Sequence, residues 1–275
     1  MRKPRPKVYV PTRSRLAKCL DEIFFDRYTC IVCGREMPDP NRLGTCEACR
    51  KSLPEVGEAI CLKCGKPLTV IEGGVEWDRE AFEAGEGLYP TSPDPVSYGS
   101  YCSGCRHAPR YFDKARSAFC YRDKIRALVH ESKFGYARYK LPYIAGYLVD
   151  VYLAEPWEVD GVTAVPITRK VRRERGYNHA EVLAKELFMR LNLPYMEGLE
   201  KIKDTPQQAQ SDYKSRRDNL KGAFHAEREV FKGKRVLVID DVLTTGSTLD
   251  EVARTLRKAG AVKVYGLTFA NVEEK

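Results

Sequence analysis

The thirteen residues Val236–Thr248, VLVIDDVLTTGST, constrain the fold more tightly than any other stretch. Val236 to Ile239 are uniformly apolar, as a parallel strand buried on both faces requires. Two adjacent carboxylates, Asp240 and Asp241, follow at its carboxyl end, and a threonine- and glycine-rich loop then opens a helix at about Thr248. Open α/β sheets take ligands at the carboxyl ends of their strands. A loop entering a helix offers a phosphate unpaired N–H groups and a favourable dipole. Gly246 lets the backbone approach an anion closely, and Thr244, Thr245, Ser247 and Thr248 add hydroxyl donors. Two carboxylates would repel that phosphate, so they serve something else: sugar hydroxyls or a magnesium ion. Taken alone, the segment leaves open a metal-only site or simple helix capping.

The surrounding sequence supports an α/β fold. A helical stretch is expected from Asp123, and Leu141, Ile144, Ala145, Leu148 and Tyr152 keep the spacing of a buried helix face. Gly161–Ile167 reads as a short strand with Pro166 near its end, followed by a helix over 179–191. After the central strand Arg235–Ile239 comes a helix bearing Leu249, Val252, Ala253 and Leu256, a stop at Gly260, and a strand over Val262–Ala270. Strands alternating with helices imply a parallel sheet. At about 150 residues per domain, 275 residues suggest two domains. The balance of 43% apolar and 31% charged residues argues against wholesale disorder. No stretch approaches the roughly 18 apolar residues of a membrane span. The basic start lacks the apolar run of a secretory signal, so the expected location is cytoplasmic.

Cysteine usage organises the other half of the chain. Eight of ten cysteines form four C-x-x-C pairs: Cys30/Cys33, Cys46/Cys49, Cys61/Cys64 and Cys102/Cys105. A reducing compartment disfavours disulfides, and a redox motif would be one such pair beside a βαβ unit. Two four-sulfur structural zinc sites account for all eight. Pairing in chain order leaves 12 residues between the knuckles of the first site and 37 within the second. Crossed pairing and buried free thiols are the alternatives. His107 is a further possible ligand, and Cys19 and Cys120 read as packing. Residues 65–101 carry seven acids against two bases and look like an inserted surface loop.

The formal net charge of +9 favours an anionic partner. Two stretches concentrate it. Residues 110–140 hold nine bases and three acids, interleaved with Phe112, Phe119, Tyr121, Phe134, Tyr136 and Tyr139. That pattern suits single-stranded nucleic acid, or else core aromatics beside surface charges. The second, Arg169–Arg175, holds five bases and one acid. His179, at the start of a helix, reads as an acid–base group or a structural contact.

The 236–248 segment resembles the phosphoribosyl pyrophosphate (PRPP) signature of type I phosphoribosyltransferases. Arg175-Gly176-Tyr177-Asn178-His179-Ala180 is similar to a segment of the ComF family, the late-competence and GntX-like proteins. So are Thr205-Pro206-Gln207-Gln208, Arg217, Asn219 and Gly222-Ala223-Phe224. The resemblance implies a parallel-sheet type I phosphoribosyltransferase fold with an N-terminal double zinc ribbon. Its divisions are a basic segment 1–24, a ribbon 25–110 with the acidic insertion at 65–101, and a transferase-like domain 111–275. It further implies that Asp240 and Asp241 face the ribose hydroxyls, and that Val242, Leu243, Thr244, Thr245, Gly246, Ser247 and Thr248 complete the PRPP site. Thr168, Arg169 and Lys170 fall where such folds hold pyrophosphate, and 203–221 where a lid closes. The implied ligands are two structural zinc ions, magnesium with PRPP, single-stranded DNA and an ATP-driven, helicase-like (ComFA-like) competence partner. The role implied is DNA uptake in natural transformation, or else phosphoribosyl transfer to a base or amine.

Overall fold

A computed structural model describes residues 28–39, 41–68, 101–134, 137–204 and 219–273. The basic segment 1–24, most of the acidic insertion and most of the expected lid lie outside the described residues. The elements run α1 (Glu47–Ser52), α2 (Ser103–Arg106), β1 (Lys114–Cys120), α3 (Asp123–Phe134), α4 (Leu141–Ala154), β2 (Gly161–Ala164), α5 (Arg169–Arg175), α6 (His179–Leu191), β3 (Leu199–Lys201), β4 (Phe224–Ala226), α7 (Arg228–Phe231), β5 (Arg235–Leu243), α8 (Ser247–Lys258) and β6 (Lys263–Asn271).

Four parallel strands form the main sheet in the order β1-β6-β5-β2. β5 lies inside it, and Val236 to Ile239 are fully buried, as their unbroken hydrophobicity requires. Helices cover both faces. α4 and α6 pack on one with Ile144, Leu148, Leu183 and Leu187, and α8 on the other with Leu249, Val252, Ala253 and Leu256. β3 and β4 form a separate antiparallel pair.

Several boundaries depart from the sequence reading. β5 runs four residues beyond Ile239, because β6 continues to pair with it as far as Leu243↔Asn271. Asp240 and Asp241 therefore stand on a held strand rather than in a loop. β2 stops at Ala164, before Pro166, which has no N–H to donate to a ladder. The basic run Arg169–Arg175 is a helix, capped by the Thr168 hydroxyl, which accepts from Val171 N, and ended by Gly176 at φ +79°.

Of the aromatics in the basic–aromatic stretch, Phe112 and Phe119 are core residues and Tyr139 is exposed. Phe119 meets Tyr147 and Phe269 edge-on at 4.9 and 5.3 Å. Lys114 and Arg116 both pair with Glu155, and Lys140 pairs with Glu131.

The cysteine-rich part packs against the sheet. The first knuckles of the two cysteine groups are built alike. Gly34 N donates to Cys30 O and Gly65 N to Cys61 O, each at 2.8 Å, with both glycines at positive φ. Cys61 N donates to Lys66 O at 2.8 Å and Ile60 bridges Pro67, so Lys66-Pro67 closes the Cys61/Cys64 knuckle. The outer edge of β1 is covered by this module: Glu55 bridges Phe119, Ala115 N donates to Lys63 O at 2.8 Å, and Cys120 N to Pro54 O at 2.7 Å.

Candidate functional site

The cysteines gather as chain order expects. Cys30, Cys33, Cys46 and Cys49 form one group and Cys61, Cys64, Cys102 and Cys105 the other, each with its sulfurs within 4.8 Å of one another. Zinc bound to four thiolates at about 2.3 Å in a tetrahedron sets sulfur–sulfur edges of about 3.8 Å. Cys33–Cys46 at 3.9 Å and Cys64–Cys102 at 3.6 Å fit that edge. Burial and neighbouring thiols push Cys49 up to about 12. At Cys30 burial is outweighed by N–H groups of Cys33, Cys46 and Val32, bringing the thiol to about 6. Four thiols this close ionise together only around a cation. His107 is not in either group.

The second site lies at the carboxyl ends of β5 and β2. Asp241 N donates to Asp240 Oδ1 at 2.9 Å. Burial, then the charge of Asp241, pushes Asp240 up to about 7, against the pull of Lys133 and Lys201. Asp241 is paired with Lys133 Nζ at 2.7 Å, both side chains being largely buried. His179 Nδ1 lies 3.8 Å from Asp241 Oδ2, and Nε2 is 2.8 Å from Ser132 Oγ. Burial outweighs the pull of Asp241 and lowers His179 to about 4, so the ring is neutral at pH 7. The imidazole is thus a buried neighbour of the acidic pair, held by α3.

The loop after β5 has the backbone form that an anion site needs. Gly246 adopts φ +77° and has no side chain to cap α8. Thr245 Oγ1 instead accepts from Ser247 N and lies 2.9 Å from Ser247 Oγ. Thr244 is exposed, while Gly246 and Ser247 are buried. Beside it, β2 pairs with β5 from Gly161↔Val236 to Ala164↔Ile239. Its continuation carries buried Thr168 and exposed Arg169 and Lys170.

The local structure explains the Arg175–Ala180 motif. Gly176 ends α5 in a left-handed turn. Tyr177 donates its hydroxyl to Ser132 O. Asn178 caps α6 through Ala180 N and donates to Val165 O at 3.0 Å, tying this corner to the end of β2.

Sequence reasoning missed Lys133 as a member of the site, counting it only in the basic stretch. It also missed Arg110 and Tyr111, which contact the loop after β5 and α8. These contacts span more than a hundred residues, so no local spacing signals them.

Fold and sites together define a phosphoribosyltransferase-fold protein with an N-terminal double zinc ribbon. Residues 173–274 match the phosphoribosyl transferase domain family and residues 18–81 the double zinc ribbon domain family. The chain is 31% identical over 185 residues to competence protein F of Haemophilus influenzae, covering 63% of this chain and 80% of that protein. It is 26% identical over 217 residues to DNA utilization protein YhgH of Escherichia coli K12, covering 74% and 93%. The chain belongs to the competence protein F (ComF) family. Among solved structures, the glutamine PRPP amidotransferase of B. subtilis is 24% identical, with a TM-score of 0.33 over 46% of this chain and 25% of that one. Among the described residues, no helix is long and apolar enough to cross a membrane.

Proposed function

We propose that this protein binds Mg²⁺-PRPP at the end of β5 and acts in the cytoplasm in the uptake or use of DNA, with single-stranded DNA as its macromolecular ligand. One observation carries the PRPP reading. Two carboxylates on a held central strand lead directly into a loop whose left-handed glycine opens a twelve-residue helix. Asp240 and Asp241 accept from the ribose 2′- and 3′-hydroxyls, and the N–H and hydroxyl groups of Thr244 to Thr248 hold the 5′-phosphate. Thr168, Arg169 and Lys170 would hold the pyrophosphate, whose charge a magnesium ion would shield. The two zinc ions are structural. The division into segments 1–24, 25–110 and 111–275 belongs to this proposal.

The DNA role is supported by the names of the relatives, competence protein F and DNA utilization protein YhgH, and by the net charge of +9. Because Phe112 and Phe119 are core residues, binding in this reading relies on exposed bases, among them Arg169, Lys170 and Arg173. An ATP-driven, helicase-like partner would act on the same strand.

Calorimetric titration with Mg²⁺-PRPP tests the pocket; absence of binding sinks it. A second reading, phosphoribosyl transfer, is favoured by Thr168 and Arg169 lying on the continuation of β2, the strand that pairs with β5. The C1′–oxygen bond of PRPP would break, pyrophosphate would leave with the electron pair, and an acceptor nitrogen would bond to C1′. An acceptor screen for pyrophosphate release distinguishes it from binding alone. For DNA, log affinity should fall linearly with log salt; no binding at low salt removes that part.

A further inference from the structure

We infer that the second cysteine site is coupled to the phosphate loop, with Arg110 as the positioning residue that joins them. The inference rests on the PRPP reading and adds a dependence of that pocket on the zinc module. Arg110 Nη2 donates to Thr245 O at 3.1 Å. A Cβ built on Gly104 would lie 3.1 Å from the same nitrogen, and one built on Gly246 would lie 3.8 Å from Nη1. The guanidinium therefore occupies a slot between two glycines. Gly104 belongs to α2, the helix that Cys102 precedes and that contains Cys105. Gly246 is the left-handed residue of the phosphate loop.

The next residue makes a second tie. Tyr111 N donates to Asp250 Oδ1 at 2.6 Å, and Asp250 N donates to Gly246 O at 2.9 Å. Two hydrogen bonds from consecutive residues thus fix the loop and the first turn of α8 to the segment leaving Cys105. Arg110 satisfies the Thr245 carbonyl and brings a positive charge beside the loop. If metal is lost from site two, α2 loses its anchor at both cysteines and the slot opens.

Coupling between two binding sites is reciprocal. If the metal supports the phosphate loop, ligand in the loop holds the metal. The experiment measures the equilibrium release of zinc to a competing chelating dye from full-length protein, with and without saturating Mg²⁺-PRPP or ribose 5-phosphate. It measures the affinity of both ligands by calorimetry in parallel. At equilibrium with the dye, one of the two zinc ions should be held at least about fivefold more tightly when ligand is bound. Arg110→Gln should keep two zinc ions, lose that protection, and bind ribose 5-phosphate about ten- to hundredfold more weakly. Gly104→Ala, which crowds the slot without removing charge, should shift both quantities the same way, and Arg110→Lys should recover part of the loss. A passive structural role for Arg110 would leave zinc release independent of ligand.

Ligand-independent zinc release in the wild type, or wild-type PRPP affinity in a folded Arg110→Gln variant, overturns the coupling while leaving the pocket intact. Absence of PRPP binding to the wild type overturns both.

Discussion

Asp240 makes the PRPP reading testable through pH. In the free protein, burial and the adjacent Asp241 raise its carboxyl to about 7. A ribose hydroxyl donates its proton, so the bound form needs Asp240 as an ionised acceptor, and binding expels a proton from any molecule that carries one. With a free-protein value of about 7, the carboxyl is about one-tenth ionised at pH 6 and about nine-tenths at pH 8. Mg²⁺-PRPP affinity should therefore rise about tenfold between those limits, or about 1.4 kcal/mol. The sign follows from the raised value: the proton is held below pH 7 and competes with the sugar there. His179, already neutral through this range, adds nothing to the slope. Titration calorimetry in buffers of different ionisation enthalpy reads affinity and proton release together. The phosphates of PRPP also titrate, so Asp240→Asn is the control. It should bind more weakly throughout and lose the part of the slope due to the protein. An identical pH slope in the wild type and Asp240→Asn would refute the assignment.

Replacing both Asp240 and Asp241 by Asn removes two charge-assisted hydrogen bonds to the sugar and should weaken PRPP binding at least ten- to hundredfold. It also strands Lys133, whose partner is Asp241, so thermal melts should show destabilisation that a further Lys133→Met change relieves; unchanged PRPP affinity in the folded variant would count against the site. Protein prepared without chelator should hold two zinc ions per chain by elemental analysis, and strong chelation should lower its melting temperature because site formation and folding are linked; one ion or none would remove the double site. Gly65→Ala should cost about 1–3 kcal/mol, since the new Cβ would lie 2.8 Å from Ala115 O and φ is +66°. A denaturation midpoint equal to that of the wild type would show that the knuckle does not bear on β1.

Where the sequence was legible, one cause acted locally. The β5 core declares itself because burial on both faces demands unbroken hydrophobicity. α6 is readable to the residue because Asn178 caps it and its apolar spacing ends at Leu191. β1 was not readable. Its Lys114 and Arg116 look like surface charges, yet they lie on a strand and pair with Glu155 at the end of α4. α5 has one apolar residue, Val171, and so no period; its capping by Thr168 is what makes it a helix. The acidic pair and its loop were legible as a motif, since strand, carboxylates and glycine are contiguous. Lys133 and Arg110 reach that site only through tertiary packing, which leaves no pattern in a linear chain.

The strand order has a consequence for assembly during synthesis. β1 is the first strand of the sheet to leave the ribosome, but its partner is β6, the last. β6 also supplies Asn271, whose Nδ2 donates to Cys64 O at 3.2 Å. Until residues 263–271 emerge, the cysteine-rich module can fold around metal but has no completed sheet to dock on. The nascent chain thus carries β1 with its β6-facing edge unpaired while the intervening residues are made, a long-range closure of the slow, exposure-prone kind. Ribosome-bound chains arrested before and after residue 271 would differ most in the protection of β1, far from the point of arrest.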